Sequence, residues 1–308
     1  MSEAFLQEIN GVWPVMLTPF HSNGDIDWHG LDALVDWYIE SGVAGLFSVC
    51  LSSEMYYLSP DERVRLAAHV VARAGERVPV IAAGAFADSL SQQVDRVKRI
   101  ADTGVAAVVL TVNQLAEEGE ADTVWQRHAQ SMLDACGEIS LGLYECPHPY
   151  HRKLSPELLG WAAQSGGFRF LKDTCCRRDL IAAKLDVTRG TGLRWFNAHC
   201  PTLLYSLQLG GHGYSGIAAN FYPELFVRLC ESFRTEPEVA VGLQRFLTLA
   251  DGTIRHRYPA SAKRYLASLG LPIGATCRTP VSPPADDDDE RLMLAMLREW
   301  VIQSGEPA

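Results

Sequence analysis

The chain has 308 residues, 47% of them hydrophobic, enough for one large α/β domain or two ordinary ones and too apolar for a disordered chain. A net charge of −10 with no basic run makes nucleic acid and anionic membrane surfaces poor partners. The opening MSEAFLQEIN has no basic segment leading into an apolar one, and runs such as VAAVVL are too short to cross a bilayer, so the expected setting is the cytoplasm.

Short apolar strands alternate with amphipathic helical stretches along most of the chain. GVWPVML leads into DWHGLDALVDWYIESG, GLFSVC into SPDERVRLAAHVVARAG, and VPVIAAGAF into SLSQQVDRVKRIADTG. AAVVLTV then precedes ADTVWQRHAQSMLDACG, LGLYECP precedes SPELLGWAAQSG, and FRFLKDT precedes RRDLIAAKLDVTRG. LRWFNAH with PTLLYSLQLGG, and GYSGIAANF with PELFVRLCESF, complete eight units. Several helices open on Ser-Pro or Asp and close on Gly, as helix caps require.

Eight strand-helix units in about 220 residues predict an α/β fold, a (β/α)8 TIM barrel with a C-terminal helical extension. The barrel is expected over residues 1–232 and the helical region packed on it over 233–308. No G-x-G-x-x-G follows the first strand, which argues against a dinucleotide-binding sheet. The acidic run in TPVSPPADDDDE is expected to start a last helix, where the positive helix end suits it.

Eight cysteines, at 50, 136, 146, 175, 176, 200, 230 and 277, form no C-x-x-C pair and read as small buried residues in a reducing compartment. The vicinal Cys175 and Cys176 read as a tight turn into a helix. His148 and His151 in HPYH are a weak metal signal, because Pro149 disfavours a helix that would present both. No metal is expected.

Active sites of such barrels lie at the carboxyl ends of the strands. In FRFLKDT, alternation puts Phe168, Phe170 and Lys172 on one face, with Leu171 and Asp173 on the other. In LGLYECP, Gly142, Tyr144 and Cys146 oppose Leu141 and Leu143. The helix-facing side should be the apolar one, so Tyr144 and Lys172 are expected to point into the barrel from adjacent strands about 4.8 Å apart. Phe168 and Phe170 would line the interior below the lysine. An ammonium in such a place loses hydration, its pKa falls, and the neutral amine can attack a ketone to form a Schiff base. A neighbouring tyrosine can carry protons. The competing reading is a lysine that reaches solvent or pairs with Asp173.

PVMLTPF with GDID downstream, SSEMYYLSPDER, YECP, FLKDT, GGHGYSGIAANFYPEL and LGLPIGATCRTP, in this order on eight units, resemble the dihydrodipicolinate synthase/N-acetylneuraminate lyase family of class I aldolases. The resemblance runs from about residue 12 to 280. It implies that Lys172 forms an imine with pyruvate or a related 2-oxo acid and that Tyr144 shuttles protons. It implies that CLSSE, residues 50–54, is a carboxylate-binding loop in which Leu51, Ser52 and Ser53 meet the substrate, with the Ser52 hydroxyl and the Ser53 amide as donors. It implies that Ser215, Gly216 and Ile217 line the site and that the protein is a dimer or tetramer needing no cofactor. Tyr56, His199 and Asn113 are candidate contacts for the distal part of a substrate.

The chain departs from the family pattern in the other half of the site. The family loop usually reads Gly-Thr-Thr-Gly-Glu or Gly-Ser-Thr-Gly-Glu; here it is Cys-Leu-Ser-Ser-Glu, with Leu51 in place of a hydroxyl. TVNQL, residues 111–115, replaces a segment that usually carries two tyrosines. Pro149 stands where the synthase has an arginine for its second substrate, with Arg152 the nearest substitute. These departures point to a 2-oxo acid lyase or aldolase acting on another substrate than the synthase's. The alternatives are the synthase itself, a 2-keto-3-deoxy sugar acid dehydratase, or a non-catalytic 2-oxo acid binder.

Overall fold

A computed structural model describes residues 10–280 and 288–305. Its strands are β1 (Gly11–Val12), β2 (Leu46–Val49), β3 (Val80–Ala83), β4 (Ala107–Thr111), β5 (Leu141–Tyr144), β6 (Phe168–Asp173), β7 (Arg194–Asn197) and β8 (Gly213–Tyr214). They form one parallel sheet in the order β1-β8-β7-β6-β5-β4-β3-β2. Its two ends meet where Val15 bridges Phe47, with the Met16 amide donating to the Phe47 carbonyl at 3.0 Å. The result is a (β/α)8 TIM barrel.

The strands alternate with α1 (Trp28–Glu40), α2 (Pro60–Ala74), α3 (Leu90–Ala101), α4 (Asp122–Cys136), α5 (Pro156–Gln164), α6 (Arg178–Thr188), α7 (Leu203–Gln208) and α8 (Pro223–Ser232). Three more helices follow: α9 (Pro237–Ile254), α10 (Ala260–Ser268) and α11 (Asp288–Gly305). α9 packs on α8, and α11 packs on α9 and α8. The described part of the last helix starts at Asp288, inside the acidic run, and the first part of that run lies outside the described residues.

Local chemistry explains the helix starts. Ser59 and Ser155 precede the prolines that open α2 and α5, and each hydroxyl accepts from an amide one turn on. Glu62 returns the favour in α2 by accepting from the Ser59 amide at 2.8 Å. β1 is shorter than GVWPVML suggests, because Pro14 has no N–H to extend its ladder.

The barrel interior is an aromatic plug. The Phe170 ring stacks on Phe196 at 4.7 Å between centroids and tilts against Trp13 at 5.5 Å, while Phe47 meets Phe170 at 6.2 Å and Tyr144 at 6.0 Å. Gly45 makes room for it: a Cβ there would lie 2.5 Å from the Trp13 ring. Phe168 is not part of this plug. The β5–β6 register shifts by one residue at Arg169, so Phe168 aligns with Leu141 and only Phe170 aligns with the inward Gly142. Strict alternation through Phe168 is therefore corrected by a bulge.

Candidate active site

Beyond the bulge, alternation holds where it matters. Tyr144 and Lys172 are register partners at the ends of β5 and β6. The Lys172 Nζ lies 4.3 Å from the centroid of the Tyr144 ring. Both line a cavity of ≈ 500 Å³ at the carboxyl end of the barrel. The aromatic plug lies beneath them.

Burial lowers the Lys172 pKa to about 8, against a smaller opposing pull from the Cys50 and Cys146 thiols. At that value roughly a tenth of the lysine is neutral at pH 7, against fewer than about one in a thousand at its ordinary value. Burial also holds the Tyr144 phenol well above its ordinary pKa, with Cys146 and Cys50 adding to the effect. The pair is thus an amine that sheds its proton easily beside a phenol that keeps its own.

The next residue on each strand points away from the cavity into a second buried cluster. Lys184 of α6 reaches between the strands, 2.5 Å from Glu145 Oε1 and 2.6 Å from Asp173 Oδ2. All three side chains are fully buried. Glu145 also accepts from the Leu154 amide at 2.8 Å and the Thr174 amide at 3.0 Å, and Asp173 accepts from the Cys175 amide at 3.0 Å. Burial first, and then the Asp173 charge, raise the Glu145 pKa, while Lys184 opposes them. Asp173 is therefore the partner of Lys184, as its outward alternation implies.

The loop after β2 is a short 3-10 turn, Leu51–Ser53. Leu51 and Ser52 face the cavity, and the Ser52 hydroxyl is bonded to that of Tyr258. Ser53 does not serve as expected. Its amide donates to the Cys50 carbonyl at 3.2 Å and its hydroxyl bridges the Cys50 amide and carbonyl at 2.7 Å each, so its polar groups close the turn. Glu54 follows with φ of +60°. Its carboxylate takes a bond from Lys263 Nζ at 2.8 Å and from the Arg278 and Thr279 amides at 2.6 Å each. Lys263 and Glu54 are both fully buried.

Gly216 and Ile217 border the cavity, and Ser215 does not. Its amide continues the ladder to the Asn197 carbonyl at 2.8 Å, and its side chain is fully buried. Gly216 has to be glycine, because a Cβ there would lie 2.5 Å from the Ala198 carbonyl. Tyr56 and His199 are on the cavity wall, as is the half-exposed Tyr57. Tyr56 donates to the His148 carbonyl at 2.8 Å. Asn113 is not on the wall. Its amide nitrogen lies within 3.0 Å of the carbonyls of Cys146, His148 and Tyr150, so it shapes the loop after β5. Arg152 is no substitute for the arginine missing at Pro149, since it binds Asp122 and the Glu120 carbonyl at 2.9 Å each.

The eight cysteines are free thiols, and Cys176 turns the chain with φ of +59°. It also borders the cavity, with Thr174 and His151, whose Nε2 lies 2.7 Å from the Thr174 hydroxyl. Two more wall residues, Arg255 and Tyr258, come from the segment between α9 and α10. Sequence reasoning passed over both, because no strand periodicity marks a residue that reaches the site from outside the barrel.

A buried lysine with a lowered pKa thus sits beside a tyrosine at the carboxyl end of a TIM barrel, facing a sizeable cavity. The chain belongs to the dihydrodipicolinate synthetase family, whose model matches residues 8–298; members of this family are aldolase-type lyases. The chain is 29% identical to the 4-hydroxy-tetrahydrodipicolinate synthase of Acidiphilium cryptum (strain JF-5) over 295 residues, 93% of this chain and 97% of the relative. It is 28% identical to that of Azoarcus sp. (strain BH72) over 307 residues, 96% of this chain and 100% of the relative. Among solved structures, dihydrodipicolinate synthase DapA-2 of Bacillus anthracis superposes with a TM-score of 0.84 at 22% identity, covering 98% of this chain and 99% of that one. YagE of E. coli K12, solved in complex with pyruvate, gives 0.83 at 21% identity, covering 95% and 98%.

Proposed function

We propose that this chain is a Schiff-base lyase that breaks, or in reverse forms, a carbon-carbon bond in a 2-oxo acid. The observation that carries the reading is the buried Lys172 amine, with its pKa near 8, set 4.3 Å over the Tyr144 ring at the cavity end. The pyruvate complex of the related YagE supports a 2-oxo acid as ligand.

In the cleavage direction, the neutral Lys172 amine attacks the C2 carbonyl, and loss of water gives a protonated imine. Tyr144, acting through its oxygen after passing its own proton to the departing water, takes the C4 hydroxyl proton. The C3–C4 bond then breaks, its electron pair moves into the imine to give an enamine, and an aldehyde leaves. Reprotonation at C3 and hydrolysis release pyruvate and restore the lysine. The imine is itself the electron sink, so no cofactor is invoked. Ser52 and the turn after β2 hold the C1 carboxylate.

The curated relatives favour a second reading, condensation of pyruvate with aspartate semialdehyde, because they are named as 4-hydroxy-tetrahydrodipicolinate synthases. Against it stand Pro149 and the engagement of Arg152 elsewhere. A 2-keto-3-deoxy sugar acid dehydratase would use the same imine. The test is incubation with pyruvate, borohydride reduction and mapping of the adduct by mass spectrometry. An adduct on Lys172, absent from Lys172→Ala, supports the imine; no adduct in the native chain sinks it. Turnover of a panel of 4-hydroxy-2-oxo acids, 2-keto-3-deoxy sugar acids and aspartate semialdehyde with pyruvate then separates lyase, dehydratase and synthase, and an adduct without turnover marks a binder. The assembly implied by the resemblance, a dimer or tetramer, is measured by sedimentation.

A further inference from the structure

The cavity is far larger than a three-carbon acid requires, and its ≈ 500 Å³ is in the range of sites that enclose a whole small ligand. Its wall carries a cation besides Lys172. Arg255 caps the C-terminal end of α9 and borders the cavity beside the ends of β6 and β7, where Cys176 and His199 sit. Asp251, one helical turn back, holds Arg255 through Nε at 3.0 Å and Nη2 at 2.6 Å, both on a single carboxylate oxygen. A guanidinium has five N–H donors, so a grip on that edge leaves a second edge with the geometry for another carboxylate.

The acidic group on the wall does not compete. Glu54 is neutralised by Lys263 and two backbone amides. The nearby His199 is held below its ordinary pKa mainly by burial, and Lys153 reaches the Cys175 carbonyl at 3.4 Å behind the wall, so Arg255 is the fixed positive charge that borders the cavity itself there. The geometry points to Arg255 as the residue that recognises a second, distal carboxylate on the substrate, making the substrate a 2-oxo dicarboxylic acid. A carboxylate suits it better than a phosphate, because one arginine already shared with Asp251 balances one negative charge poorly and two worse. This assignment rests on the imine reading for the near end of the substrate.

The test is calorimetric binding of 2-oxoglutarate against 2-oxopentanoate, which has the same chain length with a methyl group in place of the distal carboxylate. The native chain is expected to bind 2-oxoglutarate about tenfold or more tightly, as a charge-assisted pair requires. Arg255→Met should abolish that preference and Arg255→Lys should retain part of it, with circular dichroism confirming that both fold. Equal binding of the two acids by the native chain, or a preference that survives in Arg255→Met, overturns the assignment. Tighter binding of a phosphorylated 2-oxo acid that depends on Arg255 overturns the choice of carboxylate. Borohydride trapping of pyruvate on the native chain, run alongside, reports separately on the imine.

Discussion

The Lys184 ammonium lies 2.6 Å from Asp173 Oδ2, and Asp173 is the chain neighbour of Lys172. The same ammonium holds Glu145, the chain neighbour of Tyr144. One buried cation thus ties together the ends of the two strands that carry Tyr144 and Lys172, from the side opposite the cavity. The 4.3 Å between amine and ring is fixed from behind.

Removing that cation leaves two buried carboxylates facing each other. Lys184→Met is expected to cost about 3–5 kcal/mol near neutral pH. The sign with pH is definite. Without Lys184 the Glu145 carboxyl loses the main opposing pull on its raised pKa, which climbs further above its unfolded value, so the lost stability returns as pH falls and Glu145 is protonated. Thermal melts from pH 4.5 to 8 should show a deficit that widens with pH, and a deficit equal at every pH would refute the account. The triple variant Glu145→Gln, Asp173→Asn, Lys184→Met should recover most of the loss.

Lys172 itself works against the fold. Its folded pKa of about 8 lies below the unfolded value of 10.5, so the unfolded chain binds the extra proton between those limits. Stability should rise with pH across that window, and the penalty should be complete below it. A difference of 2.5 units corresponds to about 3 kcal/mol at pH 7. Lys172→Met is therefore expected to raise the melting temperature and to flatten the slope between pH 8 and 10.5. A melting temperature that drops would show that the ammonium is well accommodated after all.

Tyr144→Phe separates binding from chemistry. The ring and its contact with Phe47 survive, so borohydride should still trap pyruvate on Lys172, more slowly than in the native chain because the phenol proton no longer assists the departure of water. Turnover of a cleavable 2-oxo acid should fall about 100-fold or more, the usual contribution of a positioned proton carrier. An unchanged kcat would remove the phenol from the mechanism.

Lys263→Met should act on the turn after β2. It leaves the Glu54 charge buried with only its two backbone donors, at an expected cost of about 3 kcal/mol or more. The displaced turn should raise KM for the 2-oxo acid more than it lowers kcat. The double variant Glu54→Gln, Lys263→Met should recover stability, as shown by denaturant titration. Failure of the double variant to recover would mean that Lys263 contributes by packing alone.

Much of this was legible because period-2 alternation and the apolar helix-facing side leave few choices for Tyr144 and Lys172. The eight units were legible for the same reason, helped by the side-chain caps that open α1, α2, α3 and α5. Phe168 was misplaced because a bulge at Arg169 carries no composition signal. Ser53 and Asn113 are polar residues whose sequence neighbourhoods suggested contact with substrate, and only coordinates reveal that nearby backbone engages them. Lys184 looks like one more polar residue on a helix until its two carboxylates are seen. Arg255, Tyr258 and Lys263 lie outside the strand-helix rhythm, and their reach into the site is a matter of how α9 and α10 dock.

The bond between Glu54 and Lys263 spans 209 positions. During synthesis, the strands and Lys172 emerge well before Lys263, Arg278 and Thr279 do. The strands of a nascent chain are therefore all made while the turn after β2 is still untethered. The buried charge of Glu54 finds its partners only when that last segment arrives, so the order of synthesis sets Lys172 in place before the turn beside it can be fastened.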